Sequence, residues 1–154
     1  MTDTIDTPDG FEPLGQDGTF LDHVGGLLWR RLPDRTDTCV LVQAHHANPN
    51  GTAHGGLLMT LLDITLGATA ESFLGIRADG RHPATIQLSC SFLQAAATGH
   101  WLFGEARVER ATRTLTFVSG RLHTGGETVL TASAVFRNPS PAPAPAPATP
   151  PLKP

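Results

Sequence analysis

The chain has 154 residues, is 40% hydrophobic and 16% charged, and carries a formal net charge of −3. That length supports one domain with a real core, and the acidic balance argues against a general nucleic-acid footprint, which would be basic. Two cysteines, Cys39 and Cys90, are too few for a disulfide scaffold, so reduced thiols and a cytoplasmic location are expected.

Residues 1–18 are polar, with Asp, Thr, Gly and Pro, and are expected to be disordered. They are acidic and lack an apolar core, so they do not read as a signal peptide. Thr19 to Gly25 predicts a short helical turn capped by Thr19. Residues 27–32 and 38–46 read as strands, separated by the turn Pro33 to Thr36. A Gly-rich turn, Asn48 to Gly56, then leads into a long apolar helix expected from about Gly55 to Phe73. Gly75 to Pro83 reads as a loop. Four more strands are expected near 84–94, 100–110, 114–124 and 127–137, with Gly125-Gly126 as a hairpin signal. Residues 139–154 are Pro/Ala-rich and predict an extended, disordered tail, which leaves one domain over 19–138.

This order predicts an α+β fold, a curved, meandering antiparallel sheet wrapped around one central helix. The apolar run 55–70 is too short for the ~20 residues of a membrane span and carries an acid at its centre, so no membrane association is expected. The helix is apolar on nearly all sides and should be covered on nearly all sides. One sheet covers part of it, and a second copy of the chain would cover the rest.

Asp63 is the only charged side chain between Gly55 and Ala70. An isolated carboxylate is costly to bury without a partner, and burial raises its pKa toward the range that general-base chemistry uses. Gly56, Thr60, Asp63 and Gly67 recur at helical spacing, with Ala70 one turn on, and form a small, polar stripe. Such a stripe leaves room for a substrate and a water, or equally for close packing. The helix start offers free N–H groups and a positive dipole end. Gly55 and Gly56 let an oxygen approach that backbone closely, which is oxyanion-hole chemistry. Asp63 lies nine residues from His54, roughly 13 Å along a helix axis. A catalytic acid must come within about 3 Å of its target. One chain's helix start and its own Asp63 therefore do not easily serve one carbonyl, and the spacing favours a site shared across a two-fold axis. His45, His46 and His54 raise the question of a metal. Adjacent strand residues point to opposite faces and no Cys or carboxylate completes a set, so no metal is expected.

The pattern Asn48-x-x-Gly51-x-x-His54-Gly-Gly56-x-x-x-x-Leu61-x-Asp63 resembles the hotdog-fold acyl-CoA thioesterases, and most closely the phenylacetic-acid-degradation subfamily. The likeness extends to Asp22-His-Val-Gly-Gly26 and to Phe92 through Gly99, and covers about residues 20–137. It implies a thioester hydrolase needing no cofactor, assembled as a homodimer or a dimer of dimers. By the resemblance, the Gly55 amide polarises the thioester carbonyl, and Asn48 and His54 position the thioester. Asp63 activates water or attacks directly from the neighbouring subunit, and Thr85 stands beside it. Gly56, Thr60 and Gly67 would line the substrate. Arg107, Arg110 and Arg113 form either a solvated face or a hold for CoA phosphates, because Arg suits phosphate geometry. A thiol leaves readily, with a pKa near 8.5 by analogy with Cys, so a strong general acid is unnecessary. No Gly-x-Ser-x-Gly elbow occurs. Two alternatives stay open: an acyl-CoA-binding module that does not hydrolyse, and an enoyl-CoA hydratase.

Overall fold

The computed structural model of the chain describes residues 6–15, 18–76 and 80–140. In chain order it contains β1 (Glu12–Pro13), α1 (Phe20–Val24), β2 (Leu27–Arg31), β3 (Thr36–Leu41), a 3-10 turn (Ala44–His46), α2 (Gly55–Leu74), β4 (Ala84–Phe92), β5 (Trp101–Ala111), β6 (Leu115–Thr124) and β7 (Glu127–Arg137). All strand pairs are antiparallel and form one sheet in the order β1-β2-β3-β5-β6-β7-β4. The expected helix and its curved antiparallel sheet are both present. The expected meander holds within β1-β2-β3 and β5-β6-β7 and breaks at β4: α2, about 30 Å long at 1.5 Å per residue, carries the chain across the sheet, so β4 lands beyond β7 and β5 takes the place beside β3.

α2 begins where His54 caps it and ends at Gly75, whose left-handed conformation (φ +65°) stops the helix. Leu61, Leu62 and Leu66 are fully buried beneath Val40, Leu102, Leu122, Leu130 and Phe136. Each such side chain stabilises the fold by about 1.5–3 kcal/mol. A polar ladder sets how α2 lies on β3: Thr38 and Thr65 share a 2.6 Å hydrogen bond, and the Thr36 amide donates to Thr69 Oγ1 at 3.1 Å. Gly104 makes the close approach possible, because a Cβ there would lie 2.5 Å from both the Thr38 and Thr65 hydroxyls.

The N-terminal reading needs correction. Residues 1–5 and 16–17 fall outside the described residues, but 6–15 do not form the expected unpacked segment. β1 pairs with β2, the Leu14 amide donates to the Leu27 carbonyl at 2.9 Å, and Leu14 is buried in the core. Phe11 and Leu14 supply the apolar anchors that the surrounding Asp, Gly and Pro obscure. The domain therefore begins before residue 19. The Pro/Ala-rich tail lies outside the described residues from 141 onward.

His45 and His46 also differ from expectation. β3 stops at Leu41, and the two histidines sit in the 3-10 turn with ring centroids 3.9 Å apart instead of on opposite faces of a strand. Both Nε2 atoms reach the Val24 carbonyl, at 3.1 and 2.9 Å.

Candidate active site

The helix start is built by the loop before it. Asn48 Oδ1 accepts from the Asn50 amide at 2.9 Å, and its Nδ2 donates to Thr52 Oγ1 at 3.0 Å. This is an Asx-type turn, with Gly51 at φ +75° completing the reversal. Ala53 donates to the Ala96 carbonyl at 2.8 Å, and the His54 amide to the buried His46 backbone at 2.9 Å. The loop thus holds His54 from two sides. Asn48 shapes this loop through its own amide group.

His54 Nδ1 accepts from the Gly56 amide at 2.9 Å. A ring nitrogen that accepts has no proton, so the neutral ring carries its proton on Nε2. His54 is exposed and presents that Nε2–H at the helix start. Among the described residues no group takes the Gly55 amide, one of the orphan donors of a helix N-terminus. The helix start therefore offers the Gly55 backbone N–H next to the exposed imidazole that caps it. Gly56 leaves the cap unstrained, since a Cβ there would lie 3.0 Å from His54 Nδ1 and would push the ring back.

Asp63 sits two turns further along α2, half-buried on its open side. It has a partner that helix periodicity alone does not reveal: Thr85 Oγ1 donates to Asp63 Oδ1 at 3.0 Å. Thr85 reaches it because β4 bulges between Thr85 and Gln87. Leu88, Cys90 and Phe92 pair in register with Ala134, Ala132 and Leu130, all facing α2. Strict alternation from Leu88 would turn Ile86 toward the helix. The extra residue shifts the phase, so that Thr85 pairs with the buried Phe136 and faces Asp63 instead. Cys90 lies on the same face, and its thiol pKa is pushed up, first by burial and then by the Asp63 carboxylate.

The small stripe divides. Gly56 is exposed, and Thr60 and Asp63 are half-buried, whereas Ala70 is fully buried. Gly67 is half-buried like Thr60 and Asp63, and a Cβ there would come 3.3 Å from the Phe136 ring, so its smallness also serves packing against Phe136. The arginines also separate from Asp63. Ala106 and Val108 pair with Gly120 and Val118 across the helix-facing side. Arg107 therefore points away from α2, and a bulge before Arg110 keeps it on the outer face opposite Phe117. Arg107 bonds Glu109 at 2.8 Å, and Arg113 lies in the β5–β6 turn. These three residues do not approach Asp63 within one chain.

Phe92 was not evident as a site residue. Its ring edge lies 3.5 Å from where a Gly55 Cβ would be, so it flanks the helix start while remaining half exposed. Only the register of β4, set by the bulge, brings it there. From Gly55 to Asp63 α2 is unbroken, so the two ends of the site stay about 12 Å apart along the axis.

The sequence profile of the thioesterase superfamily matches residues 50–131. A candidate esterase from Pseudomonas aeruginosa is 37% identical over 137 residues, spanning 88% of this chain and 99% of that protein. The crystal structure of a candidate thioesterase from Ralstonia eutropha, related to phenylacetic acid degradation, superposes with a TM-score of 0.65 at 29% identity, covering 77% of this chain and 89% of that one. A hypothetical thioesterase from Streptococcus pneumoniae, solved with coenzyme A, shares the fold at TM-score 0.64 and 23% identity, covering 72% of this chain and 84% of that one. With 37% identity to a relative covered over 99% of its length and a family match over residues 50–131, the chain belongs to the thioesterase superfamily and has its hotdog fold.

Proposed function

We propose that the chain hydrolyses an acyl- or aryl-CoA thioester at a site shared between two subunits. The observation that carries this reading is the Thr85–Asp63 pair on the open side of α2, together with the unclaimed Gly55 amide one helix segment away. Asp63 takes a proton from water as the water oxygen attacks the thioester carbonyl carbon. The carbonyl oxygen gains the negative charge, and the Gly55 N–H and His54 Nε2–H stabilise it. The C–S bond then breaks, the CoA thiolate leaves, and the free acid remains. Thr85 orients the Asp63 carboxylate, and Asn48 positions the His54–Gly55 loop.

The 12 Å gap favours Asp63 and Gly55 from different chains. Ile86, Phe92 and Leu93 are exposed along the β4 edge, and Met59 is exposed on α2 beside it. An unpaired, apolar edge of this kind is a surface for a second copy. A homodimer formed there would cover the open side of α2, and a dimer of dimers extends the same plan. Coenzyme A in the pneumococcal fold neighbour supports a CoA ester as the substrate class.

The test is a steady-state assay with a thiol-trapping reagent over acyl-CoAs from phenylacetyl to medium- and long-chain. Catalytic release of CoA supports hydrolysis. Binding without turnover would make the chain a binding module, and loss of enoyl absorbance without CoA release would make it a hydratase.

A further inference from the structure

A second cleft lies on the sheet face that points away from α2 and Asp63. Cys39, Phe103 and His123 are register partners on β3, β5 and β6, and Asp37 and Glu105 share their face by the two-residue strand period. Pro8 to Phe11 border an open groove of about 330 Å³ on this face, walled by Asp9, Phe11, Arg30, Phe103, Glu105 and His123. That volume is in the range of small-molecule sites.

The walls are aromatic. The Phe11 and Phe103 centroids are 6.0 Å apart, edge to face, and His123 stacks on Phe103 at 5.6 Å. The polar rim is unfinished. Arg30 Nη2 bonds Asp37 Oδ2 at 2.8 Å, but Arg30 Nε is buried with no partner among the described residues. His123 Nδ1 is also buried and unpartnered, and His123 Nε2 lies 3.4 Å from Glu105 Oε1 without hydrogen-bond geometry. Buried groups left open are costly, and native sites fill such positions with water or ligand.

Charge narrows the occupant. Asp37 is held by Arg30 and Arg35, and Glu105 by Arg121. The cleft itself is lined by three carboxylates, Asp9, Asp37 and Glu105, against the Arg30 guanidinium, so a phosphate or a simple carboxylate gains little. The rim offers donors on Arg30 and His123 and acceptors on Asp9 and Glu105. An uncharged, flat heteroaromatic ring with ring-nitrogen acceptors and an exocyclic amine matches both sets. We propose that this cleft is a second binding site, separate from Asp63, for an aminopurine base such as that of adenosine.

The experiment is an NMR titration of the full-length chain with adenosine at millimolar concentration, reading the His123 imidazole and the amides near Phe11 and Phe103. Inorganic phosphate and benzoate are parallel arms. Saturable shifts with adenosine alone are expected, unchanged in Asp63→Asn. His123→Phe keeps a ring on Phe103 but removes both nitrogens, and should weaken affinity by at least about fivefold. If that variant does not fold, Arg30→Met takes its place, because Arg35 still pairs Asp37. Coenzyme A carries the same base; shifts at the same residues would name a nucleotide as the source, and their absence would name the free nucleoside. No saturable shift would mean that the groove holds water only and would overturn the proposal. So would shifts confined to the Gly55–Asp63 region, preference for benzoate or phosphate, or unchanged affinity in the folded variant.

Discussion

Gly55→Pro isolates the oxyanion role with little disturbance to the helix. Gly55 is the first residue of α2, and His54 before it has φ −63° and ψ 139°. Proline is favoured at this first position because the N–H it lacks is an orphan anyway. The residue before a proline prefers the extended region that His54 already occupies. A side chain here meets only ordinary contact, since a Cβ would lie 3.5 Å from the Phe92 ring. Folding stability should therefore change by less than about 1 kcal/mol. The lost amide is a different matter. Removing one oxyanion donor costs about 10²–10³ in kcat, or roughly 2.7–4 kcal/mol of transition-state stabilisation. Gly55→Ala, which keeps the N–H, is the control and should retain most activity. The assay is CoA release under saturating substrate, with the thermal midpoint measured alongside. A folded Gly55→Pro protein with wild-type kcat would refute the assignment of the amide.

Other outcomes follow from the same geometry. Asp63→Asn should fold normally and lose at least a hundredfold in kcat; turnover in heavy-oxygen water should label the released acid but not Asp63, whereas label on Asp63 would mean that it attacks directly. Thr85→Val removes a hydrogen bond to a charged group, worth about 1.5–3 kcal/mol when well shielded. Because Thr85 is exposed, the loss in kcat should be nearer tenfold, Thr85→Ser should restore it, and wild-type kcat in Thr85→Val would discard the orienting role. Leu14→Ala should cost about 2–3 kcal/mol by chemical denaturation, and a change under about 0.5 kcal/mol would return the N-terminal segment to an unpacked state. Burial pushes the Cys39 thiol up to about 12, with Arg30 pulling slightly the other way. The unfolded thiol ionises near 8.5 while the folded one stays protonated, so this contribution is complete below that pH. It should decline by about 1.4 kcal/mol per unit as pH rises toward 12. Cys39→Ala should flatten most of that alkaline loss, and an unchanged slope would show that Cys39 plays no part.

The helix and most strands were legible because their signals are local. An apolar run between a Gly-rich turn and Gly75 defines α2, and Gly125-Gly126 marks the last hairpin. Asp63 stood out as the lone charge of an apolar run and the Gly-rich turn as a helix start, while the roles of His54 and Gly55 came from the resemblance. What was not legible depends on register or on contacts distant in the chain. The resemblance placed Thr85 beside Asp63, where it is found, but no Gly or Pro marks the β4 bulge that turns it there and sets Phe92 against Gly55. Periodicity also cannot show that the small Gly67 lies against the Phe136 ring. Arg107 and Arg110 suited phosphate by chemistry, and only the strand pairing sets them on the outer face. Phe11 and Leu14 lie among residues of disordered composition, and their anchoring requires β2 and the outer face of the sheet to exist first.

The shared site is tested most directly by subunit mixing. One inactive chain carries Asp63→Ala, and the other carries Gly55→Pro. Each retains what the other lacks, and a mixed dimer regains one complete site if that site takes Gly55 and Asp63 from different chains. Random exchange of equal amounts makes half of the dimers mixed, each with one of two sites intact, so about a quarter of wild-type activity should return. Subunit exchange is verified by native mass. No recovery in verified mixed dimers would place Gly55 and Asp63 of the same chain in one site and contradict the two-subunit mechanism.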